Sequence, residues 1–200
     1  MNWESERAFD RVLGIDTALV DRSWDSRRSH PCQPTPLKAL EAVAELLPVG
    51  THIVDCGCGT GRAVFALAQA GFLVTGVELD GRRYAQAEEN LRRCMRKAPE
   101  TAARVKLVHA SAQEYMPGGD VTAYYFFNPF PAQVLRGVLR RIGEADSDIC
   151  LICYYPDDEW VELLLEEGWE SENCVDLRPV LGNDERERVE IFRKKTDAGY

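Results

Sequence analysis

The sequence IVDCGCGTGR, residues 53–62, decides the fold. An apolar run leads to an acid, Asp55, and three glycines follow at alternate positions, Gly57, Gly59 and Gly61. Glycines at this spacing indicate a backbone that turns tightly and that another group approaches closely. The sequence leaves open whether that group is a dinucleotide, another adenosine-bearing cofactor, a metal held by the two intervening cysteines, or nothing.

The composition is typical of one globular domain. The chain has 200 residues, of which 45% are hydrophobic and 28% are charged. The chain has no apolar run long enough to span a bilayer, and its N-terminus is charged and contains acids, so we expect a cytoplasmic protein without a membrane partner. Seven cysteines, an odd number, argue against a disulfide framework. The net charge of −9 disfavours nucleic acid as a partner.

Strand-like and helix-like runs alternate from residue 51 onward. The runs THIVDC, FLVTGVE, RVKLVHA, VTAYYFFN and SDICLICYY read as strands, separated by helical patterns such as GRAVFALAQAG. This alternation predicts a doubly wound α/β fold, with a mainly parallel sheet covered on both faces. At the end of the chain, ENCVDLRPV and ERVEIFRKK are joined by LGNDER, without room for a helix, so we expect a hairpin and an antiparallel last strand.

The first fifty residues do not follow this alternation. Helical patterns cover 3–13 and 36–47, with a polar, proline-containing stretch between them. We therefore expect a single domain over 1–200, in which 1–50 form a helical extension or lid and 51–195 form the cofactor-binding core.

An acid at the end of the second strand suggests what the glycine loop binds. Glu78 follows Gly59 by nineteen residues, and in a doubly wound sheet it faces the crevice beside the first loop. A carboxylate there can accept hydrogen bonds from both ribose hydroxyls of an adenosine cofactor. A dinucleotide site would have its third glycine at the position of Arg62. A sulfonium cofactor carries no pyrophosphate but does carry an α-ammonium group, for which Asp55 is a reasonable partner.

With these features the chain resembles the class I S-adenosylmethionine-dependent methyltransferases, over roughly residues 32–193. VDCGCGTGR looks like their first motif and GVELD like their second. The resemblance implies a seven-stranded sheet of order 3-2-1-4-5-7-6 with the last strand antiparallel, and S-adenosyl-L-methionine as the cofactor. The implied cofactor contacts lie on the first loop and at the end of the second strand: Asp55, Gly57, Cys58, Gly59, Gly61, Glu78 and Leu79.

A narrower likeness covers the N-terminal part. FDRVLGIDTA followed by QPTP is similar to small bacterial methyltransferases of unassigned substrate. In them a tyrosine commonly stands where this chain has Cys32. After the third strand the family often has an acid that bonds the adenine, and this chain has Ser111 there instead. Ser111, Ala112 or Gln113 are the expected adenine contacts.

The sequence FFNPFP, residues 126–131, is similar to the motif of methyltransferases that modify amino or amide nitrogens. By that resemblance Asn128 and the carbonyl of Pro129 orient the acceptor N–H beside the cofactor, and Phe130 packs on a flat acceptor group. Asn128 is also expected to contact the cofactor. Orientation matters because the nitrogen lone pair must point at the methyl group. An alternative is that Asn128 caps the helix that begins near Pro131.

The sequence therefore predicts a methyltransferase that acts on the nitrogen of a small-molecule or peptide acceptor, with no metal. Three alternatives stay open: methylation of oxygen or carbon, a cofactor-binding protein without catalysis, and a nicotinamide oxidoreductase. Cys150 and Cys153 are expected to be small apolar residues on opposite faces of a buried strand rather than a metal pair. The acceptor, a general base and the oligomeric state are not predicted.

Overall fold

A computed structural model describes residues 3–18, 32–143 and 149–194. Its centre is a seven-stranded sheet of order β3-β2-β1-β4-β5-β7-β6. β7 runs antiparallel to both of its neighbours, and the other pairs are parallel. The strands are β1 His52–Cys56, β2 Leu73–Glu78, β3 Val105–His109, β4 Ala123–Phe126, β5 Cys150–Tyr154, β6 Trp169–Asp176 and β7 Arg188–Lys194. The predicted fold class and strand order are confirmed.

The helices follow the strands in the predicted alternation. They are α1 Trp3–Leu13, α2 Leu37–Leu46, α3 Arg62–Gln69, α4 Gly81–Lys97, α5 Pro99–Ala102, α6 Ala132–Gly143, α7 Asp158–Glu166 and α8 Arg178–Leu181. The short helix α8 shows that one prediction was wrong, because the connection between the last two strands does hold a helical turn. Pro179 stands in its first turn, where a proline does no harm, and the Asp176 carboxylate accepts a hydrogen bond from the Arg178 amide.

Apolar side chains fill both faces of the sheet. On one face α2 and α3 pack on β1, β4, β5 and β7, and on the other α6 and α7 pack on the opposite sides of the same strands. Cys150 lies in the first of these cores and Cys153 in the second, as expected for residues three apart in a strand. Within the described residues no helix is long and apolar enough to cross a membrane.

A third, smaller core attaches the N-terminal helix to the domain. Leu13 and Ile15 pack with Phe65 of α3 and Cys94 of α4, and all four side chains are buried. Burying a large apolar side chain contributes about 1.5–3 kcal/mol. The described part of the extension that includes Leu13 and Ile15 is therefore packed against α3 and α4.

Candidate functional site

A cavity of about 360 Å³ opens at the carboxyl ends of β1 to β4. This is the edge of an open α/β sheet at which ligands bind. Its walls come from five places in the chain: residues 32–35, the loop after β1, the end of β2, the stretch after β3 and the stretch after β4.

The glycine loop forms the floor of the cavity. Gly57, Gly59 and Gly61 all have positive φ, of 84°, 57° and 97°, which side chains with a Cβ adopt at a cost. A Cβ on Gly57 would also lie only 2.6 Å from the Cβ of Pro129. The loop after β1 and the stretch after β4 therefore approach as closely as glycine allows.

Glu78 ties this loop to the second strand. Its Oε2 accepts a hydrogen bond of 2.8 Å from the Gly59 amide, and its Oε1 accepts one of 2.8 Å from the Asp80 amide. The residue is buried and lines the cavity. Each carboxylate oxygen has a second acceptor position, so Glu78 can also accept from the hydroxyl groups of a ligand.

Asp55 is the second carboxylate of the cavity. It is a buried residue near the end of β1, beside Tyr125 of β4 in the strand register. Burial, and secondarily the nearby charge of Glu78, raises the pKa of Asp55 to about 8. A cationic group placed between the two carboxylates would favour the charged form of Asp55.

The end of the cavity beside β2 and β3 contains several apolar side chains. Leu79 lines it with 47% of its surface exposed, although it is a large apolar residue. The backbone carbonyl of Leu79 is held by His109 Nε2 at 3.1 Å, and the His109 ring stacks on Tyr84 at a centroid distance of 4.9 Å. Ala110, Ala112 and Val134, further lining residues, pack against the apolar core of the same face. The arrangement suits a flat, largely apolar ring.

Phe130 belongs to this apolar end. Only 5% of it is exposed, and its ring packs on Phe126 and Trp160 at centroid distances of 6.3 Å and 5.5 Å. It borders the cavity together with Val134 of α6. The ring of Phe130 is therefore mainly a core side chain whose edge reaches the cavity, and most of its faces are covered by protein.

Asn128 is placed differently from the expectation. Its Nδ2 donates a hydrogen bond of 3.2 Å to the carboxylate of Asp157, the residue that caps the N-terminus of α7. It lies outside the described lining of the cavity, whereas Pro129 is part of that lining. Its φ of 37° is in the left-handed region, which asparagine tolerates better than most residues. Contact between Asn128 and a bound molecule stays a prediction.

Most of the other predicted residues do meet at the cavity. The predicted lining residues that are found there are Asp55, Gly57, Cys58, Glu78, Leu79, Ser111, Ala112, Gln113, Pro129 and Phe130. Gly59 and Gly61 shape the loop and are outside the described lining. Cys58 is buried, and burial raises the pKa of its thiol.

Sequence reasoning missed several lining residues, among them Thr35, Arg62, Arg83 and Tyr125. Arg62 was visible only as a missing third glycine. Thr35 belongs to the QPTP stretch, but the strand-and-helix pattern gave no sign that this stretch crosses the sheet edge. Tyr125 reads as an ordinary strand aromatic, because nothing in the alternation shows which aromatic residues border a cavity.

Known proteins share both sequence and fold with this chain. A family model described as a methyltransferase domain matches residues 53–145. The ribosomal RNA small subunit methyltransferase J of Alteromonas mediterranea is 36% identical over 95 residues, which cover 46% of this chain and 37% of that protein. The chain thus matches little more than a third of that relative's length.

Solved structures extend the likeness to almost the whole chain. The glycopeptide N-methyltransferase MtfA in complex with S-adenosylhomocysteine has a TM-score of 0.67 at 12% identity, over 95% of this chain and 97% of that one. An RNA methyltransferase from Salinibacter ruber, also with S-adenosylhomocysteine, has a TM-score of 0.58 at 20% identity, over 84% and 95%. At such identities the likeness concerns the fold.

The close approach at Gly57 generates a first prediction. Gly57→Ala should lower the free energy of unfolding more than Gly50→Ala, by about 1–3 kcal/mol, because overpacking against Pro129 adds to the backbone cost. Gly50 is a matched control, since its φ is 87° and nothing lies within 4 Å of a Cβ there. Urea unfolding measures both variants. Equal decreases in the free energy of unfolding of the two variants would show that Pro129 moves aside without cost.

The raised pKa of Asp55 generates a second prediction. In the unfolded chain this carboxyl loses its proton near pH 4, whereas in the folded protein it keeps the proton to about pH 8. Folding therefore holds an extra proton between these values, and the contribution of Asp55 to stability falls as pH rises from about 4 to 8. The stability of Asp55→Asn relative to wild type should rise over this window, by up to about 1.4 kcal/mol per pH unit. Urea unfolding at several pH values measures it, and parallel curves for the two proteins would contradict it.

Proposed function

We propose that this chain is a class I, S-adenosylmethionine-dependent methyltransferase, as its sequence predicts, and that it methylates a nitrogen of a small-molecule or peptide acceptor. The single observation that carries the proposal is the cavity itself. It joins two buried carboxylates, a glycine loop and the first proline of the NPFP stretch at one sheet edge.

The residues of the cavity fit the cofactor from end to end. Asp55 is suited to the α-ammonium group, and Glu78 to the ribose hydroxyls, since it keeps acceptor positions beyond its bonds to Gly59 and Asp80. The exposed side of Leu79 and the apolar wall opposite it are suited to the adenine ring. This arrangement supports Ser111, Ala112 and Gln113 as adenine contacts, because all three line the same end.

When bound, S-adenosylmethionine supplies a methyl group activated by a sulfonium. The part of the protein is to hold the acceptor atom in line with that methyl group and to keep it there. Pro129 contacts the glycine loop at Gly57, so this part of the NPFP stretch lies next to the proposed cofactor site. The bond from Asn128 to Asp157 fixes the orientation of the amide between this stretch and α7. We propose that Asn128 and Pro129 orient the acceptor nitrogen.

The charges around the NPFP stretch support an amine rather than a phosphate-bearing acceptor. Asp157 binds Asn128, and two more acids, Asp158 and Glu159, follow it in the first turn of α7. Nearby, Tyr155 donates its hydroxyl to Asp184. Asp184 is paired with Arg186, so the acidic rim consists of the three acids Asp157, Asp158 and Glu159. Such a rim repels a polyanion and attracts an amine in its cationic form, which must lose a proton to solvent before its nitrogen can attack the methyl group.

RNA is the second candidate acceptor, because the relative from Alteromonas mediterranea is named as a ribosomal RNA methyltransferase. That relative matches this chain over less than half of it. The acidic rim is the observation that favours the amine. An assay with methyl-labelled S-adenosylmethionine against amines, hydroxyl compounds and RNA separates the two candidates, and labelling of RNA alone would refute the amine.

The role of Glu78 is tested by Glu78→Gln. A glutamine has one acceptor oxygen, so it cannot serve the two backbone amides and the ribose together, and S-adenosylhomocysteine should bind about 10- to 100-fold more weakly. Glu41→Gln on α2 is the control, since Glu41 is exposed and pairs with Lys38 at the surface. Calorimetric titration measures both. Unchanged affinity in Glu78→Gln would place the ribose elsewhere.

The role of Asn128 is tested by Asn128→Ala with an amine acceptor found in the assay above. Loss of an orienting group should lower kcat by about 10- to 100-fold, while the affinity for S-adenosylhomocysteine stays that of wild type. A lowered affinity with unchanged kcat would instead assign Asn128 to the cofactor. If turnover does not change, the acceptor is oriented without it.

A further inference from the structure

We propose that residues 32–36, the roof segment, cover the cofactor cavity. Thr35 of this segment is held by Tyr125, and the residue that follows the segment is held by Glu6. These three act as positioning residues that set the rate at which the cofactor dissociates. The inference rests on the proposed function, because it takes the cavity to hold S-adenosylmethionine. It names the contacts by which part of the N-terminal region, expected from the sequence to be a helical extension or lid, would cover the cavity.

The roof segment crosses from the glycine loop to the fourth strand. At one end the Sγ of Cys32 lies so near Gly59 that a Cβ there would be 2.6 Å from the sulfur. At the other end Thr35 reaches Tyr125 of β4. Residues 32–35 all line the cavity, so the segment closes it above the ends of β1 and β4.

The first fastening is a buried hydrogen bond between two hydroxyl groups. Thr35 Oγ1 and Tyr125 OH are 3.1 Å apart, and the two residues are 4% and 1% exposed. Tyr125 stands beside Asp55 in the strand register, so this bond lies at the end of the cavity suited to the amino-acid part of the cofactor. Replacing one hydroxyl leaves the other buried without this partner, which costs more than the bond itself contributes.

The second fastening lies directly after the roof segment. Glu6 of α1 accepts a hydrogen bond from the Leu37 amide at 3.0 Å through Oε1 and one from Arg62 Nη1 at 3.0 Å through Oε2. Arg62 is 3% exposed, and its Nη2 is 3.5 Å from Asp10. A buried guanidinium must remain paired, so Arg62 keeps α1 docked beside the glycine loop. Arg62, which stands where a dinucleotide site has its third glycine, thus pairs with α1, the helix that holds the roof segment through Glu6.

A further contact connects the same parts. Asn90 of α4, fully buried, accepts from the Asp16 amide and donates to the carbonyls of Asp16 and Thr60. The side chain of Asn90 therefore connects the glycine loop to the stretch after α1 by hydrogen bonds. Cofactor exchange at the Asp55 end requires the roof segment to separate from β4, and the hydroxyl pair is the smallest contact that resists this.

The test is the dissociation rate of S-adenosylhomocysteine, measured by stopped flow for wild type, Tyr125→Phe and Thr35→Val. Each variant removes one hydroxyl with little change in shape, and dissociation should be about 3- to 10-fold faster with an unchanged association rate. Tyr154→Phe is the matched control. Tyr154 is also a buried strand tyrosine, its hydroxyl donates to Glu187 at 2.7 Å, and it lies outside the described lining of the cavity.

A merely structural role would lower the melting temperature without changing the dissociation rate, and that result in both roof variants would overturn the inference. So would an equal acceleration in Tyr154→Phe. The double variant Thr35→Val with Tyr125→Phe should be no faster than the faster single variant, because both remove one bond. Failure of the wild type to bind S-adenosylhomocysteine would refute the proposed function itself. If the wild type binds but the roof variants dissociate at its rate, only the role of the roof segment is refuted.

Discussion

The hydrogen bond from the Gly59 amide to the Glu78 carboxylate is the interaction on which the rest of the site depends. It joins the loop after β1 to the end of β2, nineteen residues later, in a buried position. The same carboxylate holds the Asp80 amide, and Asp80 in turn caps α4. One side chain therefore sets the shape of the glycine loop, the start of α4 and the acceptor positions open to a ribose. A charge can be buried here because backbone donors surround it.

The positive φ values of the loop glycines and the nearness of Pro129 to Gly57 follow from the same constraint. Once the loop is drawn against β2, its other side lies against the stretch after β4. The cavity is thus bordered by the ends of four neighbouring strands, β3, β2, β1 and β4. Asp55 is buried at the centre of this arrangement, where burial and Glu78 raise its pKa to about 8. A cation bound beside Asp55 and Glu78 would favour the charged form of Asp55, so the site is suited to a cationic ligand.

The fold could be predicted from the sequence because its signals are local. Alternating strand-like and helical runs, the glycines and the acid at Glu78 each appear within one element or one turn. The single helical turn at α8 was missed because four residues carry too little periodicity to be recognised. The roof segment, Arg62 and Tyr125 were missed for another reason. Their roles depend on contacts between residues far apart in the chain, such as Thr35 with Tyr125, ninety residues away.

The acceptor side stays a prediction. NPFP lies at the expected edge, yet the Asn128 amide turns to Asp157, and Phe130 packs mainly in the core. A short motif indicates where a segment lies, whereas the direction of each side chain depends on neighbours such as α7. More of the residues predicted for the cofactor side line the cavity, because backbone conformation, which glycine controls directly, forms much of that side.

The most direct test of the account is calorimetric titration of the unmodified protein with S-adenosylhomocysteine and, separately, with NAD. We expect micromolar binding of S-adenosylhomocysteine and no measurable binding of NAD, because Arg62 and its partners occupy the place where a dinucleotide site needs a glycine. Binding of NAD without binding of S-adenosylhomocysteine would contradict it.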